Sequence, residues 1–191
     1  MRQKDIIDVG GYVDDSTLIF EEFTDKNVYT FEPTKDNYKR ILQTIKLNNL
    51  TRVIPINKGL GAENSKMEIE ISGNNDGLGS SVCSLEFYNT FVSSELVEIT
   101  TLDEFVRENK IEVGFIKVDV EGFEMAFLKG AKETICTQKP AMLLSIYHQA
   151  SDYFGIKPLI ESWNLGYKFK IHQSIDYAIP VETALFCEVL E

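Results

Sequence analysis

The sequence predicts an α/β fold in which a mostly parallel sheet, with an antiparallel strand at its C-terminal end, carries helices on both faces. Three observations predict it. Short apolar runs rich in Val, Ile and Phe alternate with stretches of helical period, the mark of βαβ units. A double glycine, Gly10-Gly11, falls between the first such run and the first helix, where open α/β sheets bind ligands. Two late β-rich runs after a break at Gly166 read as a closing antiparallel pair.

Taken in order, Ile6 to Val9 is a buried strand, and Asp15 to Phe23 places Leu18, Ile19 and Phe23 at helical spacing. Val28 to Phe31 is the second strand. From Thr34 to Asn48, Tyr38, Ile41, Leu42, Ile45 and Leu47 make an amphipathic helix, and Thr51 to Ile56 is the third strand. In Glu63 to Ser81, Met67, Ile69 and Ile71 alternate with charged residues and run into the Gly- and Asn-rich stretch Gly73 to Ser81, which predicts an antiparallel edge strand and a mobile loop. Leu96 to Thr100 is a short strand, and Asp103 and Glu104 suit the positive end of the helix that follows. Phe115 to Val118 is a dense apolar strand; Phe123, Ala126, Phe127 and Ala131 mark a helix; and Pro140 restarts the chain into the strand Met142 to Ile146. A helix near Pro158 to Trp163 and strands at Tyr167 to Ile171 and Thr183 to Val189 complete the chain.

A length of 191 residues suits one well-cored domain, 1–191, and no apolar run approaches the ~20 residues of a membrane-spanning helix. Met1 to Asp5 leads into the first strand without the apolar core of a signal peptide, so the expected location is the cytoplasm. Cys83, Cys136 and Cys187 form no C-x-x-C pair, which fits a reducing compartment and neither a disulfide framework nor a zinc site. A net charge of −11, with 19 Lys and Arg scattered along the chain, argues against nucleic acid as a partner. The oligomeric state is not legible.

Asp8-Val9-Gly10-Gly11-Tyr12-Val13-Asp14-Asp15 permits a tight turn at the end of the first strand. A dinucleotide pyrophosphate needs G-x-G-x-x-G and a helix start free of negative charge. Asp14 and Asp15 stand at that start, and carboxylates suit a ligand carrying a sulfonium and an ammonium group, so charge favours S-adenosylmethionine. Either aspartate could instead simply cap the helix. Glu32-Pro33 follows the second strand about 20 residues beyond the glycines, where an acidic side chain accepts ribose hydroxyls, or lies solvated in a loop. The expected cofactor contacts are Asp8, Gly10, Gly11, Tyr12, Asp15, Ser16, Glu32 and Pro33.

Ile116-Lys117-Val118-Asp119-Val120-Glu121-Gly122-Phe123-Glu124, continuing through Leu128-Lys129-Gly130-Ala131, strongly resembles the hallmark of the FkbM methyltransferases, a strand ending in Asp-x-Glu-Gly-x-Glu. The resemblance extends to Thr100-Thr101-Leu102-Asp103 upstream. Downstream it takes in Lys139-Pro140, Ser145-Ile146-Tyr147-His148, Asp152 and Glu182-Thr183-Ala184-Leu185. With Asp8-Val9-Gly10 and Phe31-Glu32-Pro33 it covers nearly the whole chain. It implies a Rossmann-like class I methyltransferase sheet of seven strands, with the strand ending at Asp119 lying between those ending at Val9 and Tyr147. It also implies S-adenosylmethionine as cofactor and a hydroxyl on a sugar, glycolipid or small metabolite as acceptor. Two positions depart from the family pattern: Asp14 stands where many relatives have Gly, and His172-Gln173 where many have Arg-His.

On that resemblance Asp119, Glu121 and His148 share one rim and are the candidate catalytic residues. His148 serves as general base because its ordinary pKa of about 6.5 lies near working pH. His148, Asp152 and His172 are the candidate substrate contacts, and Glu124 is expected to meet a helix partner or the turn backbone. His148 could equally be a hydrogen-bonded structural residue. No metal is required by the spacing, although Asp119, Glu121 and His148 could hold a divalent ion. The competing readings are a degenerate relative acting as a binding or regulatory partner and, less favoured by the glycine pattern, a nicotinamide-dependent dehydrogenase.

Overall fold

The computed structural model describes residues 2–11, 15–72, 91–173 and 183–190. Its main sheet has seven strands. They are β1 (Asp5–Val9), β2 (Val28–Phe31), β3 (Val53–Ile56), β7 (Val113–Val118), β8 (Ala141–Ser145), β9 (Lys168–Gln173) and β10 (Thr183–Glu188), in the order β3-β2-β1-β7-β8-β10-β9. β10 runs antiparallel to both β8 and β9, and the other pairings are parallel. β7 therefore lies between β1 and β8, the arrangement the resemblance implies. All five residues of β1 are buried, as expected for a central parallel strand covered on both faces; Ile6, Ile7 and Val9 are its apolar positions, and the buried Asp5 and Asp8 each find a partner.

Among the described residues six helices accompany the strands: α1 (Asp15–Phe23), α2 (Lys35–Asn48), α3 (Leu102–Asn109), α4 (Glu124–Gly130), α5 (Lys132–Gln138) and α6 (Ala150–Ser162). The largest apolar cluster joins Ile7, Val9, Ile116, Val118, Met142 and Leu144 of the sheet to Phe127, Ile135 and Ile156 of the helices. Among the described residues no helix is long and apolar enough to cross a membrane.

The structure departs from the sequence reading in three places. β4 (Gly59–Leu60), β5 (Ser65–Ser72) and β6 (Phe91–Thr100) form a second sheet of order β4-β6-β5, so the run at Leu96 to Thr100 is the end of a ten-residue strand outside the main sheet. β5 is antiparallel to β6 and lies at the edge of this small sheet, while the expected loop at Gly73 to Ser81 lies outside the described residues. The helix expected over Phe123 to Ala131 is followed directly by α5, whose first turn is capped by Asp103: its carboxylate accepts from the backbone N–H of Glu133 and Thr134 at 3.0 and 2.7 Å. Finally, α6 begins at Ala150 and runs through Pro158 rather than starting there. The carbonyl that loses its helical partner to this proline belongs to Phe154, whose residue is 74% exposed and whose backbone can turn to water.

Candidate active site

The carboxyl ends of β1, β2, β7 and β8 meet at one edge of the sheet, and two charged clusters are built there. The first lies beneath the glycine turn. Asp8 is fully buried near the end of β1; its carboxylate accepts from Ser16 Oγ at 2.6 Å and pairs with Lys117 Nζ at 3.4 Å, and the same ammonium donates to the Gly10 carbonyl at 3.0 Å. Burial raises the Asp8 carboxyl above its ordinary value, opposed by the charge of Lys117. Gly10 has φ +84°, and a Cβ there would lie 1.9 Å from the Asp119 carbonyl oxygen, so the position requires glycine on both counts. Gly10 and Gly11 each donate to the Phe31 carbonyl, at 3.1 and 3.4 Å.

Glu32, 4% exposed after β2, accepts from both the backbone N–H and the hydroxyl of Thr34 at 2.9 and 2.6 Å. It is therefore a buried carboxylate that holds the entry to α2, not a solvated loop acid. Asn57 fixes the adjoining backbone by donating to the Glu32 and Pro33 carbonyls, each at 3.0 Å. Tyr12 and Asp14 lie outside the described residues, as does the side chain of Asp15.

The second cluster surrounds His148, whose side chain is 7% exposed just beyond β8. Its Nδ1 lies 2.8 Å from Glu124 Oε1, and its Nε2 lies 3.6 Å from Asp119 Oδ1 and 3.5 Å from Glu121 Oε2. The connection between Asp119 and α4 makes this possible. Glu121 and Gly122 are left-handed, with φ 53° and 95°, and the tight turn is held by Gln149, which donates to the Gly122 carbonyl at 2.8 Å. A non-glycine residue in that conformation carries strain, of the kind that collects at functional sites.

Burial alone would push the His148 imidazole down. The hydrogen bond to Glu124 and the charges of Glu124, Glu121 and Asp119 outweigh it and raise the pKa. Glu121 is raised, chiefly by burial and partly offset by His148. Asp152, 1% exposed in the first turn of α6, is pushed up to about 6 by burial and by the neighbouring charge of Glu124.

The structure thus brings Asp119, Glu121 and His148 onto one rim. Asp152 lies buried against Glu124 and His148 rather than on an open substrate face. His172 is exposed on β9, which β10 separates from β8, and among the described residues nothing ties it to the rim. Two residues escaped the sequence reading of the site. Glu124 does meet the turn backbone, accepting from Val120 N–H at 3.1 Å, but it also holds His148. Lys117 was visible as a lone cation in an apolar strand, a pattern that requires a buried partner. For a metal, donor atoms of Asp119, Glu124 and His148 lie within 4.8 Å of one another.

A mostly parallel sheet of this strand order, with its polar groups at the strand carboxyl ends, is the class of fold used by Rossmann-like methyltransferases. The chain belongs to the FkbM methyltransferase domain family, whose model matches residues 8–169. The chain is similar to the FkbM methyltransferase of Methylobacillus flagellatus KT, with a TM-score of 0.73 and 19% identity over 97% of this chain and 44% of that one. It thus spans less than half the length of that protein. SMU.1697c of Streptococcus mutans, solved in complex with S-adenosylhomocysteine, gives a TM-score of 0.61 at 9% identity, covering 99% of this chain and 90% of that one. An rRNA methylase of Streptococcus thermophilus gives 0.56 at 14%, covering 100% and 89%. These likenesses are of fold. No curated protein matches the sequence.

Proposed function

We propose that the protein transfers a methyl group from S-adenosylmethionine to a hydroxyl of a sugar, glycolipid or small metabolite. The observation that carries this reading is the juxtaposition of the glycine turn after β1 with the acidic rim after β7, within a methyltransferase family and fold. When bound, the cofactor supplies an electrophilic methyl on a sulfonium. The described residues fit such a group, because Asp8, Glu32, Asp119 and Glu121 make the strand ends acidic, which suits a cationic ligand and repels a pyrophosphate. The nicotinamide alternative is weakened by the same charge.

Gly10 lets the turn close onto the Asp119 backbone, and Asp8 with Lys117 and Ser16 fixes the floor beneath it. Tyr12 and Asp15 are proposed to complete the cofactor contacts, with Glu32 and Pro33 at the ribose end, where Glu32 must share its carboxylate with Thr34. Asp119, Glu121 and His148 face the acceptor. Acceptor activation runs through His148 Nε2: in the metal-free protein the imidazole takes the hydroxyl proton, while Glu124 on Nδ1 fixes which ring nitrogen faces outward. The local charge opposes a polyanionic acceptor, so a small or glycan acceptor is favoured over RNA even though some proteins of this fold are named rRNA methylases.

Calorimetric titration with S-adenosylhomocysteine tests the cofactor: stoichiometric binding is expected, and its absence favours a degenerate binding partner. With an acceptor found by screening metabolites and glycans, His148→Ala is expected to lose about 100-fold or more in methyl transfer. Unchanged turnover removes His148 from the chemistry.

A further inference from the structure

We propose that the His148 cluster is a binding site for one divalent transition-metal ion, held by His148 Nε2 with Asp119 and Glu121, while Glu124 orients the ring from Nδ1. Four carboxylates, those of Asp119, Glu121, Glu124 and Asp152, crowd around one imidazole. No Lys or Arg among the described residues forms an ion pair with any of the four. Glu124 is fully buried and the His148 side chain is 7% exposed. Yet His148 Nε2 and Asp119 Oδ1, both buried and 3.6 Å apart, make no hydrogen bond. Buried polar atoms left this way are costly, and concentrated negative charge away from solvent requires a cation or protons to compensate it.

A proton between Asp152 and Glu124 compensates one charge only. Asp119 Oδ1 and Glu121 Oε2 lie 3.6 and 3.5 Å from His148 Nε2, and with Glu124 behind the ring the arrangement has the division of labour found around bound metals. Glu124 Oε1 takes Nδ1 at 2.8 Å and so sets the ring with Nε2 facing the rim. The Asp119 side chain, 36% exposed, leaves an entry path. Carboxylate oxygens and one imidazole nitrogen, with no thiolate, select hard Mn²⁺ or borderline Fe²⁺ or Zn²⁺ over a softer ion. The inference rests on the methyltransferase reading only for its purpose: in the loaded protein Nε2 is a ligand, and the ion lowers the pKa of an acceptor hydroxyl bound to it.

The test titrates Mn²⁺ into chelator-treated, dialysed protein and follows the free-ion electron paramagnetic resonance signal, with S-adenosylhomocysteine calorimetry on the same samples. One Mn²⁺ per chain is expected, displaced by Zn²⁺ and weakened about tenfold or more in Glu124→Gln, His148→Ala and the partly exposed Asp119→Asn. Circular dichroism selects the variants that fold. Absence of stoichiometric uptake by the wild-type protein overturns the site, as does equal uptake by a folded His148→Ala or Asp119→Asn protein, which would place the ion on the acidic surface. Protein that binds S-adenosylhomocysteine without Mn²⁺ loses the metal site and keeps the methyltransferase reading. Protein that binds Mn²⁺ without S-adenosylhomocysteine does the reverse.

Discussion

Two acidic clusters sit on neighbouring strand ends of the same sheet and are compensated in opposite ways. Below the glycine turn, Asp8 is neutralised by Lys117 and hydrogen-bonded by Ser16, all supplied by the chain itself. Around His148, four carboxylates share one imidazole and several of their oxygens make no hydrogen bond. Asp8 Oδ1 also makes no hydrogen bond, so what separates the two is the cation: the first cluster holds a lysine ammonium, and among the described residues the second has only an imidazole. Breaking a compensated pair strands a charge, whereas deleting a charge from an overcrowded group relieves it.

The largest expected effect follows from breaking the pair of Asp8 and Lys117. Lys117→Met leaves Asp8 ionised and fully buried, and should cost about 3–5 kcal/mol in urea unfolding. Because the folded Asp8 carboxyl is already raised above its unfolded value, its ionised form costs stability at neutral pH, and that cost fades as pH falls through the folded pKa. The deficit of Lys117→Met should therefore be largest above the folded Asp8 pKa and shrink as pH falls through it. A deficit that grows on acidification contradicts the pairing. Adding Asp8→Asn to Lys117→Met should recover most of the loss, since both charges are then gone.

A smaller effect of opposite sign is expected in the second cluster. Asp152→Asn removes one of the buried carboxylates that crowd the single imidazole and should raise stability by about 1 kcal/mol, read as a higher Tm. Destabilisation of similar size would mean that this cluster is internally satisfied after all. The smallest effect belongs to His172→Gln on the exposed edge strand, which should stay within about 0.5 kcal/mol of wild type and leave S-adenosylhomocysteine affinity unchanged.

The sequence was most informative where burial leaves a periodic trace. β1, β2, β7 and β8 could be placed because strands covered on both faces are dominated by apolar residues, and the rim of Asp119, Glu121 and His148 followed from the motif between them. The small sheet was half legible: the alternation of Met67, Ile69 and Ile71 marked β5, but nothing local says which sheet a strand joins. Pairing of Glu124 with His148 was not legible, because it links a helix start to a strand end 24 residues on, and periodicity carries no such distance. Asp152 reads in the sequence as a substrate contact for the same reason: its burial comes from α4 packing on α6, which composition does not record.

One close approach links the two clusters. The turn at Gly10 rests backbone to backbone on Asp119, which also donates its N–H to the Val9 carbonyl at 3.0 Å. A small molecule lodged at the turn and an ion or acceptor lodged at the rim would press on the same peptide units. Occupancy at one place would then change affinity at the other by a factor that is identical in both directions, since the cycle of four binding states must close.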